Sequence, residues 1–342
     1  MELKVEFADA GRPEPPPGWE DFAGTGAVHP VWRWSVVHAA AGPRRGRALA
    51  AVLRDGGEVA GLVYARLAGP AGTLADVCCP GSSSMPGLVL RGGLPSVLDP
   101  AGSAGSARED GGRLLAAALA AFEAALRREH RRVRAVAYRS VFAGELPIVA
   151  GRLSLVGRGL PVTVFTNRFA DYERYLAGLS QSRRASQRRQ VKLVAREPGL
   201  EASFGPLAGP VDIARFNALA DATSGRHEAR RWPPPRRLSH PLRAALAAVP
   251  GVLAARYERA GELVGLGINF DHPSVPLAGP WGALDPHAGG PHGLWFDQHA
   301  RILRWAIESG RAGVIGGKGL VELKCELGYE VVPQWLVLRR LR

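Results

Sequence analysis

The densest chemistry in this sequence is cationic. Between Gln181 and Glu197, the residues Arg183, Arg184, Arg188, Arg189, Lys192 and Arg196 accumulate before a single acid, Glu197, appears. Arg184, Arg188, Lys192 and Arg196 stand at i, i+4, i+8 and i+12, so a helix here carries four cations along one ridge. Like charges at that spacing destabilise an isolated helix, and either solvent or a bound anion must offset them. A solvated face is the usual fate of a charge run. The lack of an interleaved acid favours phosphate contacts instead. A second basic segment, Arg226–Arg237, sets Arg230, Arg231, Arg236 and Arg237 around Trp232 and three prolines. It reads as an exposed loop, which either clamps an anionic ligand or serves as a stiff connector.

The whole chain agrees with these segments. It has 342 residues, 46% hydrophobic and 22% charged, as in a globular protein with room for two cores. Its net charge of +13 points to a polyanionic partner: nucleic acid, an anionic membrane surface or a phosphate-rich cofactor. A compositional bias toward Ala, Gly, Pro and Arg explains arginine in place of lysine, but not the excess of base over acid.

Several other chemistries are excluded. Cys78, Cys79 and Cys325 form no CxxC, so neither a disulfide framework nor a zinc site is indicated, and no metal is expected. No GxSxG elbow occurs, and His227-Glu228 lacks the second histidine of a zinc protease. Gly316-Gly317-Lys318-Gly319 lacks the upstream glycine of a nucleotide-hydrolysing phosphate loop and has Gly319 where a hydroxyl should hold magnesium. The opening MELKVEFADAG lacks the basic-then-apolar order of a signal peptide, and the longest apolar run, Leu114–Leu126, is too short to span a bilayer. The chain is expected to be cytoplasmic.

The elements that must position the charges occur twice. Leu49–Leu62 (LAAVLRDGGEVAGL) and Leu253–Leu266 (LAARYERAGELVGL) match at seven of fourteen positions without a gap. Each is an apolar run, a charged turn with glycine, and a second apolar run, the pattern of a β-hairpin. A helix follows each copy (Arg113–His130; Asp297–Ser309), then a short apolar strand (Val133–Tyr138; Gly313–Ile315). The spacing predicts two copies of one α/β unit, a domain at 1–160 and a second at 161–342 that carries the basic helical segment 168–197. Pro30–Ala40 is expected as an early helix and Arg168–Leu179 as an amphipathic one, with Ser180 capping the next.

The C-terminal stretch Gly316–Trp335 places Glu322, Lys324 and Glu326 in a short helix ended by Gly328, before a closing strand over Val331–Arg339. Three pieces of the second half, FADYERYLAGLSQSRRASQRRQVK (Phe169–Lys192), DQHARILRWAIESG (Asp297–Gly310) and KGLVELKCELGYEVVPQW (Lys318–Trp335), together resemble the Fem-like N-acyltransferases. These are tandem GNAT-fold proteins that include peptidoglycan-bridge aminoacyltransferases, relatives in antibiotic pathways and acyl-CoA-using members. The resemblance covers most of the second half; the first half is reached only through the repeat. It implies a fold of tandem GNAT-like α/β domains, each a mixed sheet flanked by helices.

The activity implied is amide-bond formation, in which an acyl group passes from an activated carrier to a small-molecule or peptide amine. Lys324 matches the lysine of the family's K-x-x-φ-G helix (φ apolar), which in tRNA-using members lies near the reacting carbonyl. A lysine there is placed to stabilise the oxyanion; the alternative is a salt bridge to its helix neighbours. Glu322, or Asp271 at the end of the second hairpin, is a candidate to accept the amine's proton. Asn269 and Trp281 are candidate pocket residues on position alone. For the donor, Arg66-Leu67-Ala68-Gly69-Pro70-Ala71 fits the coenzyme A pyrophosphate pattern formally, but Pro70 removes a needed N–H and no helix follows. Aminoacyl-tRNA is therefore the favoured co-substrate, with no bound cofactor, and Arg183, Arg184, Arg188, Arg189, Lys192, Arg230 and Arg231 are its candidate contacts. Acyl-CoA is the alternative donor. A non-catalytic RNA-binding protein on a degenerate acyltransferase fold is the third reading.

Overall fold

A computed structural model describes residues 2–42, 48–92, 106–151, 154–228 and 238–341. In chain order the elements are β1 (Lys4–Asp9), α1 (Trp19–Ala23), α2 (Trp34–Ala41), β2 (Ala48–Asp55), β3 (Glu58–Ala68), β4 (Leu74–Val77), β5 (Leu88–Leu90), α3 (Ser106–Glu129), β6 (Ala135–Phe142), α4 (Leu146–Val149), β7 (Ser154–Arg158) and β8 (Val162–Thr166). They continue with α5 (Tyr172–Gly178), α6 (Gln181–Arg196), β9 (Leu200–Pro206), α7 (Ile213–Glu228), α8 (His240–Ala248), β10 (Val252–Arg259), β11 (Glu262–Phe270), β12 (Leu277–Ala283), α9 (Leu294–Glu308), β13 (Gly313–Gly317), α10 (Val321–Glu326), β14 (Glu330–Val332) and β15 (Gln334–Arg340).

The two sequence repeats are the hairpins β2–β3 and β10–β11. Leu53 pairs with Gly61 and Arg54 with Val59, so the register slips between Leu53 and Arg54. The second hairpin slips at the same step, between Tyr257, paired with Gly265, and Glu258, paired with Leu263. Both turn residues have positive φ in each copy, Gly56 and Gly57 in the first and Ala260 and Gly261 in the second, as a two-residue hairpin turn requires. Glycine meets that demand without strain; Ala260 meets it at φ 51°.

The repeat extends through both sheets. The first runs β1-β2-β3-β4-β6-β15-β7, with β5 also paired to β3. The second runs β9-β10-β11-β12-β13-β8-β14. In each, an antiparallel meander leads to a parallel pair, β4 with β6 and β12 with β13, joined through a helix. That helix packs its apolar stripe on the sheet. On α3 the stripe is Leu114, Ala118, Leu119, Phe122, Ala125 and Leu126, and on α9 it is Ile302, Leu303, Ala306 and Ile307. A mixed α/β fold with two helix-flanked sheets results, as the repeat implied.

The chain divides into compact units of residues 1–164, 317–321 and 330–342, and of residues 165–316 and 322–329. The division expected at 160/161 misses the last strand. β15 fills the place beside β6 in the first sheet that β8 fills beside β13 in the second. An edge of exposed backbone donors and acceptors needs a partner strand, but nothing local in the sequence says which strand supplies it. The closing strand over Val331–Arg339 is in fact two, β14 and β15, split at Pro333. Pro30–Ala40 starts as a 3-10 turn at Pro30–Trp32 before α2, and α5 begins at Tyr172, where the Asp171 carboxylate accepts the Arg174 N–H at 2.7 Å. No described helix is long and apolar enough to cross a membrane.

Candidate functional site

Lys324 sits on the inward face of α10. Gly328 ends that helix at φ 82°, with the Tyr329 N–H reaching back to the Lys324 carbonyl at 3.0 Å. Leu327 and Tyr329 are buried beside it, and the Tyr175 hydroxyl donates to the Leu327 carbonyl at 3.0 Å. This anchoring turns Lys324 inward to 6% exposure, while Glu322 and Glu326 stay exposed. The lysine Nζ donates to the carbonyl of Gly316, near the end of β13. Burial lowers its pKa to about 8.

A salt bridge from Lys324 to its helix neighbours is not what holds it. Glu326 pairs with Arg183 on α6, and Glu322 forms no ion pair among the described residues. His299 on α9 is the neighbour that the sequence did not signal. Its imidazole is buried, stacked on Trp295 with ring centroids 4.8 Å apart, and 5.1 Å from the Tyr329 ring. Burial, reinforced by the positive charge of Lys324, pushes its pKa down to about 3. The ring is therefore neutral, and its Nε2 and the Tyr329 hydroxyl have no hydrogen-bond partner among the described residues. A buried ammonium, a neutral imidazole and a phenol thus lie among apolar residues of one unit.

The other candidates occupy separate surroundings. Asp271 accepts both Arg311 Nη2 contacts, at 3.0 and 3.1 Å. The contact joins the end of β11 to the turn before β13, 40 residues apart in the chain, and both carboxylate oxygens share one guanidinium. Asn269 is fully buried; its Nδ2 donates to Leu253 O at 3.4 Å, and its Oδ1 has no partner. Trp281 stands edge-on to Tyr257 at 6.1 Å, whose hydroxyl donates to Asp297 at 2.8 Å. Arg301 Nε donates to the same Asp297 oxygen at 2.5 Å. This Tyr257–Asp297–Arg301 network was invisible in the sequence because Asp297 reads as an ordinary first-turn acid.

The basic ridge forms as a helix with Ser180 as its cap: the Ser180 hydroxyl accepts the Arg183 N–H at 3.3 Å. Its cations do not behave alike. Arg183 pairs with Glu326, Arg184 donates to Ala177 O at 3.1 Å, and Arg188 donates to Glu173 at 2.6 Å. Arg189, Lys192 and Arg196 are exposed and make no ion pair among the described residues. Arg230 and Arg231 lie outside the described residues. The formal coenzyme A pattern, Arg66–Ala71, begins in the last residues of β3 and ends in the turn to β4, with a 3-10 turn at Pro70–Gly72 and no helix to receive a pyrophosphate.

No family model matches the chain, and no curated protein does. Solved structures do. The C-terminal domain of a lysylphosphatidylglycerol synthetase candidate from Agrobacterium fabrum aligns over 89% of this chain and 86% of its own, with 13% identity and a TM-score of 0.56. L-PGS from Bacillus licheniformis aligns over 83% and 82%, with 11% identity and a TM-score of 0.54. FemX aligns over 85% and 87%, with 9% identity and a TM-score of 0.54. At such identities the likeness is one of fold. The chain shares the fold of these three structures.

Proposed function

We propose that this chain is an N-acyltransferase that joins an activated acyl group to a small-molecule or peptide amine, with aminoacyl-tRNA as donor. The observation that carries the reading is Lys324, an ammonium drawn into an apolar setting and engaged, among the described residues, by a backbone carbonyl alone. When an amine attacks an ester carbonyl, negative charge grows on the carbonyl oxygen. A desolvated cation stabilises that charge far better than an exposed one, because little solvent screens it. Depressed basicity at such a lysine is the pattern expected of a working group.

The donor assignment is supported by the outer half of α6. Arg189, Lys192 and Arg196 offer cations unengaged by acids to a phosphate backbone, whereas a coenzyme A pyrophosphate is served by a glycine loop opening a helix. The named product of the lysylphosphatidylglycerol synthetase candidate carries an aminoacyl group, which points the same way. Glu322, exposed on α10, and Asp271, beside Arg311, remain the candidates to take the amine's proton. Asn269 and Trp281 remain candidate pocket residues.

The test is single-turnover transfer to a panel of amines, from charged tRNA and separately from acetyl-CoA. Transfer from charged tRNA alone is the expected result. Transfer from acetyl-CoA alone makes the chain an acyl-CoA-dependent enzyme. Binding of tRNA with transfer from neither donor makes it an RNA-binding protein.

A further inference from the structure

A separate polar cluster lies in the first unit, on the face of β3, β4 and β6 turned away from α3. Val63, Ala65, Ala75, Val77, Val136 and Tyr138 belong to the core that α3 covers. Strand alternation therefore sends Tyr64, Arg66, Asp76, Cys78 and Arg139 to the opposite face. Arg66 and Asp76 are direct partners across β3 and β4. Arg66 Nη2 lies 3.1 Å from Cys78 Sγ, and Arg139 Nε donates to Asp76 at 2.5 Å.

Ser140 joins this cluster through a bulge. The pairing of β15 with β6 slips between Trp335, opposite Val141, and Val337, opposite Tyr138. Ser140 takes the extra place with φ 57°, a left-handed conformation that a serine adopts only at a cost. The bulge directs its hydroxyl to the Ser83 carbonyl at 2.8 Å, and the Nζ of Lys318 donates to that hydroxyl at 3.3 Å. Lys318 is half-buried with no carboxylate partner among the described residues, and its pKa is lowered to about 8 by burial and by the nearby Arg139 charge. Arg66 Nε and the buried Tyr64 hydroxyl likewise have no hydrogen-bond partner of good geometry.

The charges on this face do not balance. Arg66, Arg139 and Lys318 supply three positive charges, and Asp76 offsets one. Cys78 stays a thiol because burial raises its pKa. Two positive charges remain, with hydroxyl, guanidinium and ammonium donors around them. A single carboxylate leaves one of those charges unmatched; a tetrahedral dianion matches both and accepts several donors at once. We propose that Arg66, Arg139 and Lys318, the last held in place by the Ser140 hydroxyl, form a binding site for a phosphate dianion, either inorganic phosphate or a phosphate monoester group. The site is independent of the acyl-transfer reading.

The chain contains only four lysines, Lys4, Lys192, Lys318 and Lys324, so their side chains can be followed one by one. Protein labelled with 13C at lysine Cε is titrated with inorganic phosphate, glycerol 3-phosphate and acetate at constant ionic strength, with Lys318→Arg assigning the signal. The expected result is a saturable shift of the Lys318 signal with phosphate, at concentrations at least tenfold below any shift of Lys4 or Lys192. Arg139→Gln should weaken that response at least tenfold, and acetate should not reproduce it. Saturation by the ester as well as by phosphate identifies a monoester site; saturation by phosphate alone identifies a free-phosphate site. A Lys318 signal that moves no more readily than that of Lys4, or equally with acetate, overturns the proposal in the wild-type protein, whatever the variants do.

Discussion

The charge of Lys324 bears directly on His299: with burial, it holds that imidazole neutral down to about pH 3. Two basic groups thus share one apolar setting, and only the lysine carries charge at neutral pH. If that charge acts on the developing oxyanion, Lys324→Met should lower turnover by about 10²–10³-fold while leaving donor binding nearly intact. Stability should change little, because removing a buried cation is favourable while the Gly316 carbonyl loses its donor. Turnover and melting temperature measured side by side distinguish the cases. Normal turnover with a lower melting point makes the lysine structural.

The same lysine predicts a pH dependence. Its pKa falls from 10.5 in the unfolded chain to about 8 in the fold. Between those values the unfolded chain holds the extra proton, so Lys324 makes stability rise with pH from about 8 to about 10.5. Turnover should move the opposite way, falling as pH rises through about 8 and the ammonium is lost. Lys318 titrates in the same window, so Lys324→Met should flatten the stability rise only in part, yet remove the activity limb altogether. A wild-type pH–rate profile that is level from pH 7 to 10 would rule out the charged form as the working one.

His299 predicts acid sensitivity. The unfolded chain protonates this histidine near 6.5 and the folded chain only near 3. Across that interval the unfolded state binds more protons, so stability falls as pH drops below 6.5. His299→Phe keeps an aromatic ring against Trp295 and removes the titration. Urea midpoints from pH 7 to 4 should therefore decline less steeply in the variant. An unchanged slope would place the acid sensitivity in other groups.

On α6 the prediction separates engaged cations from free ones. Replacing Arg189, Lys192 and Arg196 together with Gln should weaken tRNA binding and lower the log–log salt slope by about one per lost phosphate contact. Arg184→Gln and Arg188→Gln should change it less, because Ala177 and Glu173 already hold those side chains. Filter binding at several salt concentrations reads both. A triple variant with the wild-type slope returns the whole ridge to the role of a solvated face.

How much of this was legible in the sequence depends on the range of the interaction. The hairpins were readable because turn glycines and alternation are local. The α6 cap and ridge were readable for the same reason. The fate of β15 was not, since strand neighbours far apart in sequence leave no local mark. Arg311 on Asp271 and Glu326 on Arg183 are likewise contacts between distant elements. Each engages a residue whose type alone had made it a candidate. Ser140 shows the same limit: its left-handed backbone comes from the pairing of β6 with β15, and neither strand alone reveals it.

Helix α7 was unreadable for a reason that can be tested. It packs on β12 through a close backbone approach beside the buried Phe216, Leu219 and Ala220, and Gly282 makes that approach possible. A Cβ at Gly282 would lie 2.5 Å from the backbone nitrogen of Ala220 and 2.8 Å from its Cα. Backbone atoms cannot swing aside as a flexible side chain does, so the helix or the strand must shift. Gly282→Ala should therefore destabilise the protein by about 1–3 kcal/mol or more, as overpacking of a tight core does. Gly289→Ala meets open space but forces a residue at φ 83°, so it isolates backbone strain from steric overlap. Thr223 adds a local reporter: its hydroxyl receives the Ala283 N–H at 3.1 Å, and that bond lies beside the displaced contact. Amide exchange at Ala283 should speed up in Gly282→Ala and stay protected in Gly289→Ala. Equal exchange in the two variants would mean that α7 docks through its side chains and that the glycine at 282 is incidental.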